Sequence, residues 1–217
     1  MIVTSQIKSV RAGALALYNG HKISHLDLFV TFQTPGASRV GMGKSFTKLA
    51  DDYRDRVYTF ARYSLRHREE AEDVTQEVMV RLWQRADRGG LDIDNVGAWV
   101  MRVARNAVID VIRRRRTRTA VIADEVDFDL ATHYTAGPAD TGDGVESREF
   151  REALETALAR MEDPYRSILV MREIQGLQYQ EICDALEIPL NTMKVYLHRG
   201  RRVLREALKG MYHHDDV

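Results

Sequence analysis

From Phe46 onward the apolar residues Leu49, Tyr53, Val57 and Phe60 recur at helical spacing, while Arg54, Asp55, Arg56 and Arg62 fall mostly off that stripe. One apolar face at this period is the mark of an amphipathic helix. A second helix is predicted from about Glu69 to Gln84. Its acids Glu69, Glu70, Glu72 and Asp73 suit the positive end of the helix dipole, Val74, Val78 and Leu82 form its stripe, and Gly89 and Gly90 end it. After a polar loop through Asp92, Asp94 and Asn95, a third helix carries Val96, Val100, Val103, Ala107 and Val111 on one face and finishes in a run of arginines. From 119 to 149 the periodicity fades and Gly137, Pro138, Gly142 and Gly144 stand among acids, too little apolar surface to fold alone. Helices then resume at about Phe150 to Met161, Pro164 to Ile174, Tyr179 to Leu186 and Asn191 to Leu208, with breaks at Asp163-Pro164, Gly176 and Glu187-Ile188-Pro189. Outside these units, Leu28 to Phe32 alone reads as a strand.

The expected fold is all-α: two small helical domains, 44–118 and 150–210, joined by a flexible acidic linker, 119–149, with an extension over 1–43 and a tail over 211–217. The length of 217 residues accommodates two such units, and no apolar run approaches the roughly 20 residues that cross a bilayer. One cysteine excludes an internal disulfide and the common structural zinc sites, so a reducing cytoplasmic setting is expected. The amino terminus lacks the basic cluster and small-residue cleavage pattern of a secretory signal.

Charge changes the picture. Lys plus Arg and Asp plus Glu are 32 each, which on average argues against a nucleic-acid partner. By segment the balance is 4 basic to 1 acidic in 1–43, 17 to 12 in 44–118, 1 to 8 in 119–149 and 10 to 11 in 150–217. The bases cluster further, as Arg113, Arg114, Arg115, Arg116 and Arg118, and as Arg199, Arg201, Arg202 and Arg205. Two basic patches therefore flank an acidic strip. Its carboxylates, Asp124, Glu125, Asp127 and Asp129 among them, are placed to shield the basic helices in the free protein.

The last two predicted helices, joined by a short turn, have the form of a helix-turn-helix whose second helix enters the DNA major groove. With Met193 at zero and about 100° per residue, Leu197, Leu204 and Leu208 fall at about 40°, 20° and 60°, a single core stripe. Asn191, Thr192, Val195, His198, Arg199 and Arg202 lie opposite, and Lys194 and Arg201 flank the stripe. These amide, methyl, imidazole and guanidinium groups can meet base edges, and no carboxylate intrudes until Glu206.

REALETALARMEDPYRSILVMREIQGLQYQEICDALEIPLNTMKVYLHRGRRVLREAL resembles the fourth region of bacterial sigma factors of the extracytoplasmic-function group. REEAEDVTQEVMVRLWQR at 68–85 and GAWVMRVARNAVIDVIRRRRTR at 97–118 resemble their second region, in the family's order and spacing. The resemblance implies an alternative sigma factor that directs promoter-specific transcription initiation, with core RNA polymerase, promoter DNA and an anti-sigma factor as partners, and no small-molecule substrate. It assigns Asp73, Gln76, Glu77, Leu82 and Trp83 to docking on the polymerase clamp helices. It assigns Trp99, Arg102, Arg105, Asn106, Asp110 and Arg113, Arg114, Arg115 and Arg116 to the −10 element, with the loop from Arg88 to Asn95 helping to hold an extruded base. Thr192, Lys194, Arg199 and Arg201 carry over to −35 recognition, beside Asn191, Val195, His198 and Arg202 from the helix face. Tyr196 and His198 depart from the family pattern, which leaves the −35 base sequence open.

Other chemistry is thin. Gly43-Lys44-Ser45 suggests a phosphate-binding loop, but the glycine required five positions earlier is Ser38. Cys183 reads as a core thiol, and His213 and His214 lack further metal ligands. No carboxylate pair stands out as an acid and base, so neither enzyme chemistry nor a cofactor or metal is expected. The rival reading is a helix-turn-helix regulator with an amino-terminal sensing or dimerisation domain.

Overall fold

The computed structural model of the protein describes residues 43–88, 96–123 and 145–209. Its elements are α1 (Gly43–Leu65), α2 (Arg68–Asp87), α3 (Val96–Ala123), α4 (Val145–Arg160), α5 (Tyr165–Leu169), a π-helical turn (Val170–Ile174), α6 (Tyr179–Leu186) and α7 (Leu190–Leu208). No strand occurs among the described residues. The predicted strand, the glycines at 89 and 90, the base-holding loop past Arg88, most of the acidic linker and the terminal histidines lie outside them.

Three boundaries differ from expectation. Gly43 to Ser45 form the first turn of α1, so that triplet is helix and not a phosphate loop. The linker is shorter at both ends, because α3 continues to Ala123 and α4 starts at Val145. Neither extension contains glycine or proline, and within α3 the Thr119 hydroxyl donates to the Arg115 carbonyl at 3.1 Å. The helix expected up to Ile174 changes pitch at Val170: Gln175 N–H reaches Val170 O at 3.0 Å and Leu177 N–H reaches Met171 O at 2.9 Å, one and two residues beyond the α spacing. Gly176, at φ 71°, takes the left-handed conformation that closes this turn.

The centres of the predicted stripes are buried, with Tyr53, Val103 and Val111 partly buried at their edges. Val57 and Phe60 of α1, Val74, Val78 and Leu82 of α2, and Val96, Val100 and Ala107 of α3 pack in the amino-terminal three-helix unit. Met193, Leu197, Leu204 and Leu208 of α7 lie against α4, α5 and α6. Each large side chain so buried contributes about 1.5–3 kcal/mol. Gly200 is what admits α7 so close to α5, since a Cβ there would stand 3.3 Å from Leu169 Cγ and 3.6 Å from Tyr165 Cβ. Beside it, Tyr165 and Tyr196 meet edge to face, with centroids 5.4 Å apart. The short α6 is closed at its start by Glu181, whose carboxylate accepts the Gln178 N–H at 2.6 Å.

Periodicity did not foretell that the two units pack on one another. α3 lies along α6, α1 touches α4, α5 and the π-helical turn, and the buried residues form one continuous core.

Candidate nucleic-acid interface

The first face lies on α2. Asp73, Gln76 and Glu77 are exposed, one helical turn apart, and Trp83 is 42% exposed on the same side. Glu77 accepts from Arg81 at 2.5 Å, an exposed pair one turn along the helix. Leu82 is a correction. It is fully buried, at about 180° from Asp73 around the helix, so it holds α2 to the core and presents nothing to a partner.

The second face lies on α3. Trp99, Arg102, Arg105, Asn106, Arg113 and Arg116 fall within one angular sector of the helix, with Arg114 at its edge and Asp110 paired to Arg113 at 3.4 Å. Asn106, Arg113, Arg114 and Arg116 are exposed. Trp99 is half-buried against the core, and the Arg85 guanidinium of α2 sits 4.9 Å from its ring centroid. Arg115 corrects the assignment of the whole arginine run to DNA. It points back across the helix, donating from Nε to Glu70 at 3.0 Å, from Nη1 to the Leu65 carbonyl at 3.1 Å and from Nη2 to Glu70 again. It thereby staples α3 to the turn between α1 and α2.

Arg102 and Arg105 also have protein partners, in the other half of the chain. Arg102 Nη1 donates to Glu187 Oε1 at 2.5 Å and Nη2 to the Asp184 carbonyl at 3.1 Å. Arg105 donates through Nε to Asp163 Oδ2 at 2.9 Å and through Nη2 to the same oxygen. Ser167 donates to the other Asp163 oxygen. In the sequence Asp163 and Glu187 stand out only as parts of helix breaks, because pairing between halves leaves no periodic trace.

The third face is the outer side of α7. Asn191, Lys194, Val195, His198, Arg199 and Arg202 are exposed and Thr192 is half-exposed, as the helix arithmetic requires once Met193, Leu197, Leu204 and Leu208 point inward. Arg201 is held by Glu173 of the π-helical turn, with Nε and Nη2 at 2.9 and 2.6 Å from one carboxylate oxygen.

Buried ionisable groups mark the junction between the halves. Arg62 of α1 donates to Glu155 of α4 at 2.9 Å. Burial pushes the Glu155 carboxyl above its ordinary range, against the lowering pull of Arg62, Arg66 and Arg151. Burial lowers the pKa of Arg166, which is near Asp163, Arg105 and Arg116 and donates to the Met161 carbonyl at 3.0 Å. Burial likewise raises Cys183 in the core, with Asp184 adding to the effect. No group of three or more metal-ligating side chains occurs among the described residues, and no described helix is long and apolar enough to cross a membrane.

Two family models match the chain, Sigma-70 region 2 over residues 49–118 and Sigma-70 region 4 over residues 151–204. The ECF RNA polymerase sigma factor SigW of Bacillus subtilis is 31% identical over 171 residues, covering 77% of this chain and 90% of that protein. SigX of the same organism is 27% identical over 169 residues, covering 77% and 86%. Among solved structures, the sigma factor RpoE in complex with the anti-sigma factor NepR, from Bartonella quintana, has the same fold. It matches at a TM-score of 0.60 and 22% identity over 76% of this chain and 98% of its own. CnrH in complex with the cytosolic domain of CnrY matches at 0.55 and 19% identity, over 78% and 91%. Two family models in the right order and a relative matched over nearly its full length make the chain a member of the extracytoplasmic-function group of sigma-70 RNA polymerase sigma factors.

Proposed function

We propose that this sigma factor binds core RNA polymerase through the exposed face of α2, reads duplex −35 DNA with α7 and opens the −10 region with α3. It works in the cytoplasm, without cofactor or bond chemistry of its own. The observation that carries the −35 assignment is the outer face of α7: every residue exposed from Asn191 to Arg202 is neutral or basic, over a fully buried apolar stripe. A carboxylate on that face would repel phosphate, whereas arginine can pair with guanine through two hydrogen bonds. Arg113, Arg114 and Arg116 serve −10 phosphates, and Arg115 serves the fold. Two proteins of the same fold are bound by other chains, RpoE by the anti-sigma factor NepR and CnrH by CnrY. By analogy, an anti-sigma partner is proposed for this chain.

Arg199→Ala and Arg202→Ala test the −35 assignment. Each is expected to lower promoter affinity by about 1–3 kcal/mol in a base-dependent way, relaxing selectivity at one position of the −35 element. Selection of binding sites from a randomised −35 library, by wild type and variants, measures this. Equal loss on every sequence would move the two arginines from base reading to phosphate contact.

A further inference from the structure

We propose that the carboxy-terminal half acts as a latch on the −10 helix: Asp163 and Glu187 occupy the guanidinium groups of Arg105 and Arg102, and the free protein is thereby kept from promoter DNA. The inference rests on the assignment of α3 to −10 DNA. An arginine whose N–H groups already point at a carboxylate cannot offer them to phosphate, and Arg102 and Arg105 each spend two donors on the other half of the chain. The neighbours on the same face, Asn106 and Arg116, stay exposed. The latch therefore covers one end of the DNA-binding face and leaves the other accessible.

The geometry of both acids fits this role. Glu187 follows α6 with φ at 55°, a left-handed position where glycine is the favoured residue and a side chain is costly. Its own carboxylate makes no cap there; it reaches Arg102 instead. Asp163 precedes α5 and lies near Arg105 and Arg166, so it is the counter-charge that lets these two cations meet between the halves. Removing it leaves like charges facing one another. The pairs are partly exposed, so both closure and DNA binding weaken with salt, and what decides between them is which anion, carboxylate or phosphate, the arginines meet at higher local concentration.

The test uses the full chain carrying Asp163→Asn and Glu187→Asn, in a Cys183→Ala background with spin labels on Gln84→Cys and Ala207→Cys, one in each half. Asparagine tolerates the left-handed position but is shorter than glutamate and uncharged. Glu187→Asn alone, at an exposed side chain, serves as the variant whose folding is safest. The wild type is expected to give one narrow distance distribution. The double variant is expected to give a broader, longer one and to bind a pool of random-sequence duplexes with a single-stranded bubble about tenfold more tightly at low salt. An unchanged distribution, or a wider one with no gain in DNA binding, overturns the latch. Initiation with core polymerase is measured alongside: if it proceeds in the wild type while either of those results is found, the latch alone fails, and if neither protein supports initiation, the sigma assignment beneath it fails as well.

Discussion

Arg62→Ala is expected to weaken the packing of the two halves by about 1.5–3 kcal/mol, because it removes the hydrogen-bonded guanidinium from a carboxylate buried between them and leaves only Arg66 and Arg151 nearby. Glu155 of α4 has only 7% of its side chain exposed and Arg62 of α1 has 19%, so solvent replaces little of what is lost. The effect depends on pH in a defined sense. The Glu155 carboxyl titrates above its ordinary value in the closed form, so protonation favours closure at low pH and that contribution is lost as pH rises through the raised value. Arg62 pulls the value down, and its removal raises it further. The cost of Arg62→Ala is therefore greatest where Glu155 is charged, above its raised value, and shrinks as pH falls through that value. Urea unfolding of wild type and variant across that range measures it. A cost independent of pH would contradict the titration of Glu155 at the junction. Arg62→Lys, which keeps the charge, should recover part of the loss.

The second large effect is on polymerase binding. Glu77→Ala combined with Trp83→Ala is expected to weaken affinity for core RNA polymerase by at least about 2 kcal/mol, roughly 30-fold, since a solvent-facing tryptophan beside acceptor groups has the composition of an interface hot spot. Little stability should go with it: Trp83 is 42% exposed, and the Glu77–Arg81 pair is an exposed helical pair worth about 0.3–0.5 kcal/mol. Thermal unfolding separates the two effects. Unchanged polymerase affinity in a folded double variant would remove the docking role of α2.

Much of this architecture was legible because helices announce their buried faces. Counting about 100° per residue from Met193 placed Leu197, Leu204 and Leu208 on one stripe, and all are buried. Gly200 belongs to that same stripe yet is invisible to an apolar count, since a residue without a side chain adds nothing to it although it sets the helix spacing. Leu82 was misplaced for the opposite reason: carried over with its neighbours as part of a motif, it lies on the far side of α2 from Asp73. Arg115 has the same composition and spacing as its neighbours, and only rotation around α3 distinguishes it from Arg113 and Arg116.

What no local pattern discloses is pairing at long range. Arg62–Glu155, Arg102–Glu187 and Arg105–Asp163 join residues 93, 85 and 58 positions apart. Charge counting marks Arg113 to Arg118 and points to the linker for their shield, and Asp124, Glu125, Asp127 and Asp129 lie outside the described residues; Arg102 and Arg105, assigned by the resemblance, take Asp163, Asp184 and Glu187 of the carboxy-terminal half as partners. The rival regulator with a sensing domain shared the helix-turn-helix; the match of residues 49–118 to Sigma-70 region 2 separates the two.

The most direct test mixes the purified chain with core RNA polymerase and a library of genomic templates and maps the 5′ ends of the transcripts. Discrete start sites, each preceded by the same pair of spaced motifs and absent with core enzyme alone, are the predicted result. Transcripts indistinguishable from those of core enzyme alone would contradict the account.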